Sequence, residues 1–209
     1  MSTHEKETFF GVYGYAETWQ DLPWSHETQT DFLTDIVAEH DGTGAALDIG
    51  CGGGTDSLYM AREGWDTTAL DFMPKALDMT RERAAAEGLT VKTVEADIIE
   101  WAPDRSYDLV LDHGLLHNMD PVRYAAYREK VMSTIAPGGN FVILHWLQRT
   151  PEEQQAEMGP RRVSREDINK FFAPELVEHK FTADEHFDLP ESVSKDGTMS
   201  QATYWFRRP

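Results

Sequence analysis

The sequence lacks the features that mark three common classes of protein. It contains a single cysteine, Cys51, so no internal disulfide can form and a disulfide-stabilised secreted fold is excluded. No apolar run approaches the roughly 20 residues that a membrane-spanning helix needs. The first ten residues, MSTHEKETFF, contain no basic segment followed by an apolar core, so no secretory signal is expected. We therefore expect a cytoplasmic protein that does not enter a membrane.

Positive charge is also scarce in this chain. The sequence has 37 acidic residues against 19 basic ones, for a formal net charge of −18. Such a surface repels polyphosphate, so nucleic acid is not an expected partner. The hydrophobic fraction of 40% over 209 residues is nevertheless enough to bury one core. We expect a single domain over residues 1–209, present as a monomer or a homodimer.

Apolar runs that predict strands alternate with stretches that predict helices. The predicted strands are AALDIG (45–50), DTTALD (66–71), TVKTVEAD (90–97), YDLVLD (107–112) and NFVILHW (140–146). This alternation is typical of a parallel α/β sheet covered by helices on both faces. Two further strands, ELVEHKFTA and ATYWFRR, follow the predicted helix SREDINKFF with no helix between them. They are expected to pair antiparallel and close the sheet.

The stretch LDIGCGGGTDS, residues 47–57, places bare backbone directly after the first strand. A dinucleotide fingerprint needs a glycine where this chain has Thr55, although Gly50 and Gly52 fit. A phosphate-binding loop needs a lysine, but no Lys or Arg occurs from residue 42 to residue 60, where Asp48 and Asp56 do occur. Carboxylates without a cation disfavour a phosphate and suit a ligand with an ammonium or sulfonium group.

The pattern Asp48-x-Gly50-x-Gly52-x-Gly54 resembles motif I of the class I S-adenosylmethionine-dependent methyltransferases. The order of elements is also similar to that family over about residues 25 to 209. The resemblance implies a Rossmann-like α/β fold, with a seven-stranded, mostly parallel sheet, an antiparallel last strand and helices on both faces. It implies S-adenosylmethionine as cofactor, with the methionine part against the glycine loop.

Further cofactor contacts follow from the same resemblance. Asp71 lies 21 residues after Gly50, where a carboxylate can accept the ribose hydroxyls; the alternative is that it only caps the next helix. Asp97 occupies the position that faces the adenine amino group, although an Asp at a strand end is also a common turn residue. We interpret Cys51 as a packing residue rather than a nucleophile. The predicted cofactor-binding residues are Trp24, Asp48, Gly50, Cys51, Gly52, Asp71, Phe72, Asp97, Ile98 and Asp112.

In such a fold the methyl acceptor meets the cofactor at the ends of the fourth and fifth strands. Three of the histidines are expected at these strand ends, and a histidine can take the proton of a thiol acceptor. The catalytic candidates are His117 and His145, followed by His113; the alternative for each is a bond to loop backbone. Asp112, His113 and His117 could together ligate a metal, but no third nitrogen or sulfur ligand is evident, and we predict no metal.

The N-terminal segment contains the sequence Leu-Pro-Trp at residues 22–24. This stretch, and the stretch from Asp112 to His117, resemble the thiopurine, tellurite-resistance and halide/thiol methyltransferase branch. The resemblance implies that residues 1–24 form an aromatic lid in which Trp24 covers the cofactor, since aromatic rings attract a sulfonium. It also implies a soft nucleophile as acceptor.

We therefore expect methyl transfer to a small molecule, at sulfur, with residues 147–163 and 184–198 as possible substrate loops. Two alternatives stay open at this point. One is N- or O-methylation of a larger biosynthetic metabolite, which those two loops could enclose. The other is a protein that binds S-adenosylmethionine without catalysis.

Overall fold

The structure is a computed structural model, and it describes residues 3–41, 43–150, 161–184, 187–188 and 198–209. The two predicted substrate loops lie mainly outside these described residues. In the described ranges, no helix combines the length and the apolar character that crossing a membrane requires.

One twisted sheet organises the described chain. Its strands are β1 (Ala45–Ile49), β2 (Asp66–Asp71), β3 (Lys92–Glu95), β4 (Tyr107–His113), β5 (Ile135–Leu147), β6 (Val177–Ala183), β7 (Phe187–Asp188) and β8 (Thr198–Arg207). The order across the sheet is β3-β2-β1-β4-β5-β8-β6, and the two-residue β7 pairs with β8 off this path. Strands β1 to β5 are parallel, and β8 runs antiparallel to both β5 and β6. The predicted Rossmann-like seven-stranded sheet with an antiparallel last strand is confirmed.

Helices connect the strands as the sequence predicted. They are α1 (Thr3–Tyr15), α2 (Leu33–Glu39), α3 (Thr55–Arg62), α4 (Pro74–Ala86), α5 (Tyr124–Thr134) and α6 (Arg165–Phe172). Pro74 begins α4, because a proline fits the first turn, where no backbone donor is needed. Ser164 caps α6: its hydroxyl accepts from the Asp167 N–H at 3.1 Å.

Helix α1 was not predicted from the sequence. Its glycines, Gly11 and Gly14, lower helix propensity, and its apolar residues do not form a clear helical stripe. The helix is instead supported by contacts with distant residues. Phe9 and Tyr13 pack in one apolar cluster with Leu22, Trp24 and helix α4. Tertiary packing thus decides the structure of this segment.

The strand register brings three strand ends to one edge of the sheet. Asp48 in β1 is the pairing partner of Ala69 in β2 and of Leu111 in β4. Ligands of open α/β sheets bind at this carboxyl edge, where the strand order reverses. In this sheet the order reverses between β1 and β4, so the end of β4 lies beside the glycine loop that follows β1.

Candidate active site

The glycine loop between β1 and α3 requires the absence of side chains. Gly50, Gly52 and Gly54 have φ angles of +75°, +53° and +81°, which residues with a Cβ rarely adopt. A Cβ on Gly54 would lie 2.5 Å from the Thr80 hydroxyl oxygen. The Gly50 N–H donates to the Leu70 carbonyl at 2.7 Å, which fixes the loop against β2. The loop is therefore a tight, pre-formed surface of backbone.

Two cavities lie at this edge of the sheet. The first encloses about 370 Å³, partly open to solvent, and its walls include the loop, Trp24, Asp48 and His113. The second encloses about 240 Å³ between the ends of β2 and β3, and its walls are largely apolar. A cavity of mixed lining at the glycine loop and a largely apolar cavity next to it suit a ligand with a charged end and a flat ring at the other end.

Asp71 ends β2 and connects the two compartments. Its carboxylate accepts hydrogen bonds from the Gly52 N–H at 3.0 Å and from the Met73 N–H at 2.8 Å, and it lines the second cavity. Burial raises the pKa of Asp71 to about 6. The carboxylate thus caps the turn before α4 and also faces the cavity, so the two interpretations of this residue are compatible.

Phe72, Asp97 and Ile98 line the same second cavity. The Asp97 carboxylate accepts from the Arg123 guanidinium at 2.6 Å and from the Ile99 N–H at 3.1 Å. Arg123 directly precedes helix α5, so this ion pair links the end of β3 to the region that follows β4. The three predicted residues come together here around an apolar slot with one charged rim.

Asp48 and Cys51 are buried beside the first cavity. Asp48 accepts a hydrogen bond from the Ser57 hydroxyl at 2.5 Å, while burial, and then the charge of Asp56, raise its pKa to about 7. Burial also raises the pKa of the Cys51 thiol, so this cysteine is not a thiolate at neutral pH. That environment agrees with the interpretation of Cys51 as a packing residue.

The chain between α1 and α2, residues 16–32, lies across the glycine loop; we name it the strap segment. The indole Nε1 of Trp24 lies 3.2 Å from the position that a Cβ on Gly52 would occupy. The Trp24 ring meets the rings of Phe9 and Tyr13 edge to face, with centroid distances of 5.5 and 5.7 Å. Aromatic contacts with α1 therefore hold Trp24 over the loop.

A polar cluster beneath the strap segment was not predicted from the sequence. Its centre is the buried carboxylate of Asp56, which accepts from the Thr30 N–H at 2.7 Å and from the Thr30 hydroxyl at 2.7 Å. The ring nitrogens His26 Nε2 and His113 Nδ1 lie 3.2 and 3.3 Å from the same carboxylate oxygen, Oδ2. The sequence offered only the acid after the glycines as a signal, because the partners come from elements distant in the chain.

The charges in this cluster follow from its contacts. His26 Nδ1 lies 3.3 Å from the Trp24 carbonyl and His26 Nε2 lies 3.2 Å from Asp56, so both nitrogens face acceptors and the doubly protonated ring satisfies both. Burial opposes that charge, but the hydrogen bond that His26 donates to Asp56, together with the negative charge of Asp56, outweighs it and raises the pKa of His26. Burial likewise opposes the charge of Asp56, yet its contacts with His113 and His26 lower its pKa.

Among the described residues, one group of side chains is close enough to hold a metal ion: His26, Asp56 and His113, whose potential ligand atoms lie within 4.8 Å of one another. Asp112, His113 and His117, the alternative considered from the sequence, do not form such a group. The two rings of the grouping, however, are stacked, with centroids 4.1 Å apart and planes 8° from parallel. Lone pairs of imidazole lie in the ring plane, so two nearly parallel rings cannot both direct a lone pair at one ion. The geometry suits a hydrogen-bonded cluster.

The three predicted catalytic histidines occupy different environments. His113 lines the first cavity, and its side chain is 21% exposed. His145 is buried and His117 is half-buried; their rings pack edge to face with centroids 5.3 Å apart, and they line neither of the two cavities. Burial lowers the pKa of His145 to about 4, and burial with the nearby His145 lowers the pKa of His117. Both are weak bases, so the structure favours His113.

Asp112 is also placed differently from the prediction. It is fully buried, and its carboxylate accepts from the N–H groups of Leu115 and Leu116 and from the Tyr127 hydroxyl. It lines neither of the two cavities described above. Its contacts turn the chain after β4, and that turn places Leu115 against the glycine loop.

Comparisons with known proteins agree with this fold. A family model described as a methyltransferase domain matches residues 46–139. The ubiquinone biosynthesis O-methyltransferase of Cereibacter sphaeroides is 32% identical over 187 residues, which cover 79% of this chain and 70% of that protein. Among solved structures, the N-methyltransferase NodS of Bradyrhizobium japonicum has a TM-score of 0.72 at 18% identity and covers 98% of each chain.

Other relatives are similar over shorter regions. The 2-heptyl-1-hydroxyquinolin-4(1H)-one methyltransferase of Mycobacteroides abscessus is 30% identical over 58% of this chain, and thiocyanate methyltransferase 1 of Brassica oleracea is 26% identical over 63%. The chain spans only 55% and 60% of the lengths of these two relatives. A structure from work on the conversion of a disulfide bond into a thioacetal group in echinomycin biosynthesis has a TM-score of 0.71 at 26% identity, covering 97% of this chain and 92% of its own.

Three features of the chain point to one family: the glycine loop, the acid at the end of β2 and the order of the strands in the sheet. A relative that is 32% identical to this chain, and of which the chain covers 70%, supports the same family. The chain belongs to the class I S-adenosylmethionine-dependent methyltransferases.

Proposed function

We propose that this enzyme transfers a methyl group from S-adenosylmethionine to the sulfur of a small molecule. The observation that carries the proposal is the position of His113, a histidine that lines the same cavity as the glycine loop. When bound, the cofactor supplies a methyl group on a positively charged sulfur. A thiol with a pKa of about 8.5 is mostly protonated at neutral pH, so a base beside the methyl group assists its reaction.

The residues around the two cavities fit the cofactor. The Gly50–Gly54 backbone and Asp48 form the part of the first cavity that we assign to the methionine moiety, with Trp24 above it. Each Asp71 oxygen accepts one backbone hydrogen bond and keeps a further lone pair for a ribose hydroxyl. The apolar slot beyond it, between Phe72 and Ile98 and with Asp97 at its rim, is the proposed adenine site.

Electrostatics support a sulfonium in the first cavity. The buried acids Asp48 and Asp56 are close enough for each to affect the other's protonation. In a chain of net charge −18, the cavity attracts a cation and repels a phosphate. Aromatic surface from Trp24 completes the wall and favours a cation further, whereas the Trp19 ring is already covered by the Arg83 guanidinium, 3.9 Å from its centroid.

The second candidate function is O-methylation. The relative with the longest overlap described above is, by its name, an O-methyltransferase, and it is 32% identical to this chain. A base at His113 would serve a phenol, whose pKa is about 10, as well as a thiol. The names of the relatives thus point to different acceptor atoms, and the chemistry of the acceptor has to be measured.

The test is methyl transfer from radiolabelled S-adenosylmethionine to parallel panels of small thiols, phenols and amines. We expect turnover on thiols, with products identified by mass spectrometry. Turnover on phenols alone would replace the sulfur assignment with the oxygen one, and turnover on amines alone would contradict both. Binding of S-adenosylhomocysteine, measured by calorimetry, confirms that the protein used is competent.

Variants locate the base within the same assay. We expect His113→Gln to lose about a hundredfold in turnover, in the usual range for a general base, with little change in affinity for S-adenosylhomocysteine. His179→Gln, at an exposed position on β6, is the matched control and should behave as the wild type. A greater loss in His117→Gln or His145→Gln than in His113→Gln would assign the role of the base to His117 or His145 instead.

A further inference from the structure

Three atoms beside the first cavity determine which nitrogen of His113 carries a proton. The Thr30 hydroxyl oxygen is 2.7 Å from Asp56 Oδ2 and 2.7 Å from His113 Nδ1. An ionised carboxylate has no proton to donate, so the Thr30 hydroxyl donates to Asp56. A hydroxyl has only one proton. The contact between Thr30 and His113 therefore requires that Nδ1 of His113 carries the proton and donates it to the Thr30 oxygen.

The geometry points to Thr30 and Asp56 as positioning residues that hold His113 in its Nδ1–H tautomer, leaving the Nε2 lone pair free to take a proton from the methyl acceptor. This inference rests on the proposed function and deepens it, because it gives the path of the proton at that site. Nδ1 makes all the polar contacts of the ring with described residues. Nε2 is thus the nitrogen left for a substrate in a cavity that His113 lines.

The step balances in atoms and charge. The acceptor sulfur gives its proton to His113 Nε2 and gains the methyl group, while the electron pair of the broken bond stays on the cofactor sulfur. One positive charge disappears from that sulfur and one appears on the imidazole. The Asp56 carboxylate oxygen, 3.3 Å from Nδ1, offsets the new charge.

The strap segment supplies both groups that orient His113 from outside the sheet. Thr30 makes the hydrogen bond, and His26 stacks on the imidazole with a centroid distance of 4.1 Å. The other charged groups around the pair are Asp56 at the start of α3 and Asp48 in β1. The same segment places Trp24 over Gly52. The position of the strap segment therefore determines which nitrogen of His113 carries the proton, and the same segment covers the glycine loop.

Thr30→Val is the variant that isolates the hydroxyl. Valine has nearly the same shape, and the Thr30 backbone N–H, which donates to Asp56 Oδ1 at 2.7 Å, is retained. Thr34→Val is the matched control, because Thr34 is an exposed threonine at the start of the next helix. Circular dichroism and thermal unfolding establish that both variants are folded.

The first measurement needs no cofactor and no turnover. Nitrogen-15 spectra of the histidine rings in the cofactor-free protein distinguish the Nδ1–H from the Nε2–H tautomer, with His113 assigned by comparison with His113→Gln. We expect Nδ1–H in the wild type and in Thr34→Val, and a measurable Nε2–H fraction in Thr30→Val. An Nε2–H tautomer in the wild type would overturn the inference, because Nε2 would then have no lone pair to offer.

The second measurement compares acceptors with and without a proton. At pH 7 an alkyl thiol such as 2-mercaptoethanol must lose its proton, whereas 4-nitrothiophenol is already ionised and iodide has none. We expect Thr30→Val to lose about tenfold in turnover on the alkyl thiol and to match the wild type on the two anions. Equal losses on all three acceptors would mean a merely structural role and would overturn the inference while the proposed function stands.

Failure of the proposed function gives a different result. It would appear as a wild-type enzyme that binds S-adenosylhomocysteine but methylates neither the thiols nor iodide. The nitrogen-15 measurement would still decide the position of the proton on His113 in that case. The two proposals can therefore fail separately.

Discussion

The substitution Trp24→Ala tests whether the strap segment contributes to cofactor binding. The Trp24 ring is held over Gly52 by two edge-to-face contacts, with Phe9 at 5.5 Å and Tyr13 at 5.7 Å. Each such pair is worth about 0.5–1.5 kcal/mol beyond its area burial, so the variant loses about 1–3 kcal/mol in total. If that loss falls entirely on the position of the segment over the loop, the dissociation constant rises by about 5-fold to 150-fold.

Isothermal titration calorimetry with S-adenosylhomocysteine measures this effect. The control is Trp101→Ala, because Trp101 is also half-buried but packs against the main core, away from the glycine loop. We expect both variants to unfold at lower urea concentration and only Trp24→Ala to bind the ligand more weakly. Equal dissociation constants for the two variants would refute the reasoning that the strap segment covers the cofactor site.

Three further predictions concern stability and can be measured by urea or thermal unfolding. His26→Gln should lower the free energy of unfolding more at pH 5 than at pH 8. Because the pKa of His26 is raised in the folded protein, its contribution to stability is complete below about pH 6.5 and is lost as the pH rises through the folded-state pKa. Equal losses of stability at the two pH values would contradict this. Gly54→Ala should destabilise the protein far more than Gly138→Ala. Both glycines have a positive φ, which costs a residue with a side chain about 1–2 kcal/mol, but only a Cβ at position 54 would lie 2.5 Å from the Thr80 hydroxyl oxygen. Similar melting temperatures for the two variants would count against the steric argument. Tyr127→Phe removes a hydrogen-bond donor to the buried Asp112 carboxylate in β4. It should lower the free energy of unfolding by about 1–3 kcal/mol without changing the affinity for S-adenosylhomocysteine. A large change in that affinity would show that Asp112 serves the cofactor after all.

The sequence predicted the sheet because its signals are local. Short apolar runs bounded by turn residues mark buried strands, and the absence of a helix between the last two strands indicated their antiparallel pairing, which the register of β6 with β8 confirms. The glycine spacing and the missing cations around it indicated a ligand other than a phosphate. Helix α1 was missed, because its support comes from Tyr13 packing against distant residues rather than from its own pattern.

The candidate site was predicted only in part, for the same physical reason. Gly50, Gly52 and Asp71 lie at strand ends, and their positions follow once the strands are assigned. The environment of each histidine does not follow, since a strand-end position leaves open whether the ring faces a cavity or the core. His113 lines the first cavity, whereas His117 and His145 pack against each other outside it, with lowered pKa values.

By itself, the sequence indicated the order of the main strands, the helices between them and the glycine loop, because those depend on hydrophobic period, backbone freedom and residue spacing within short stretches; the class of cofactor followed from the resemblance of that loop to a known family. Only the tertiary structure decided which histidine has a usable lone pair. His26, Thr30, Asp56 and His113 come from the strap segment, α3 and β4, and they meet within hydrogen-bond distance solely because the sheet register and the packing of α1 bring those elements to one edge. Protonation depends on such contacts, and no local pattern encodes them.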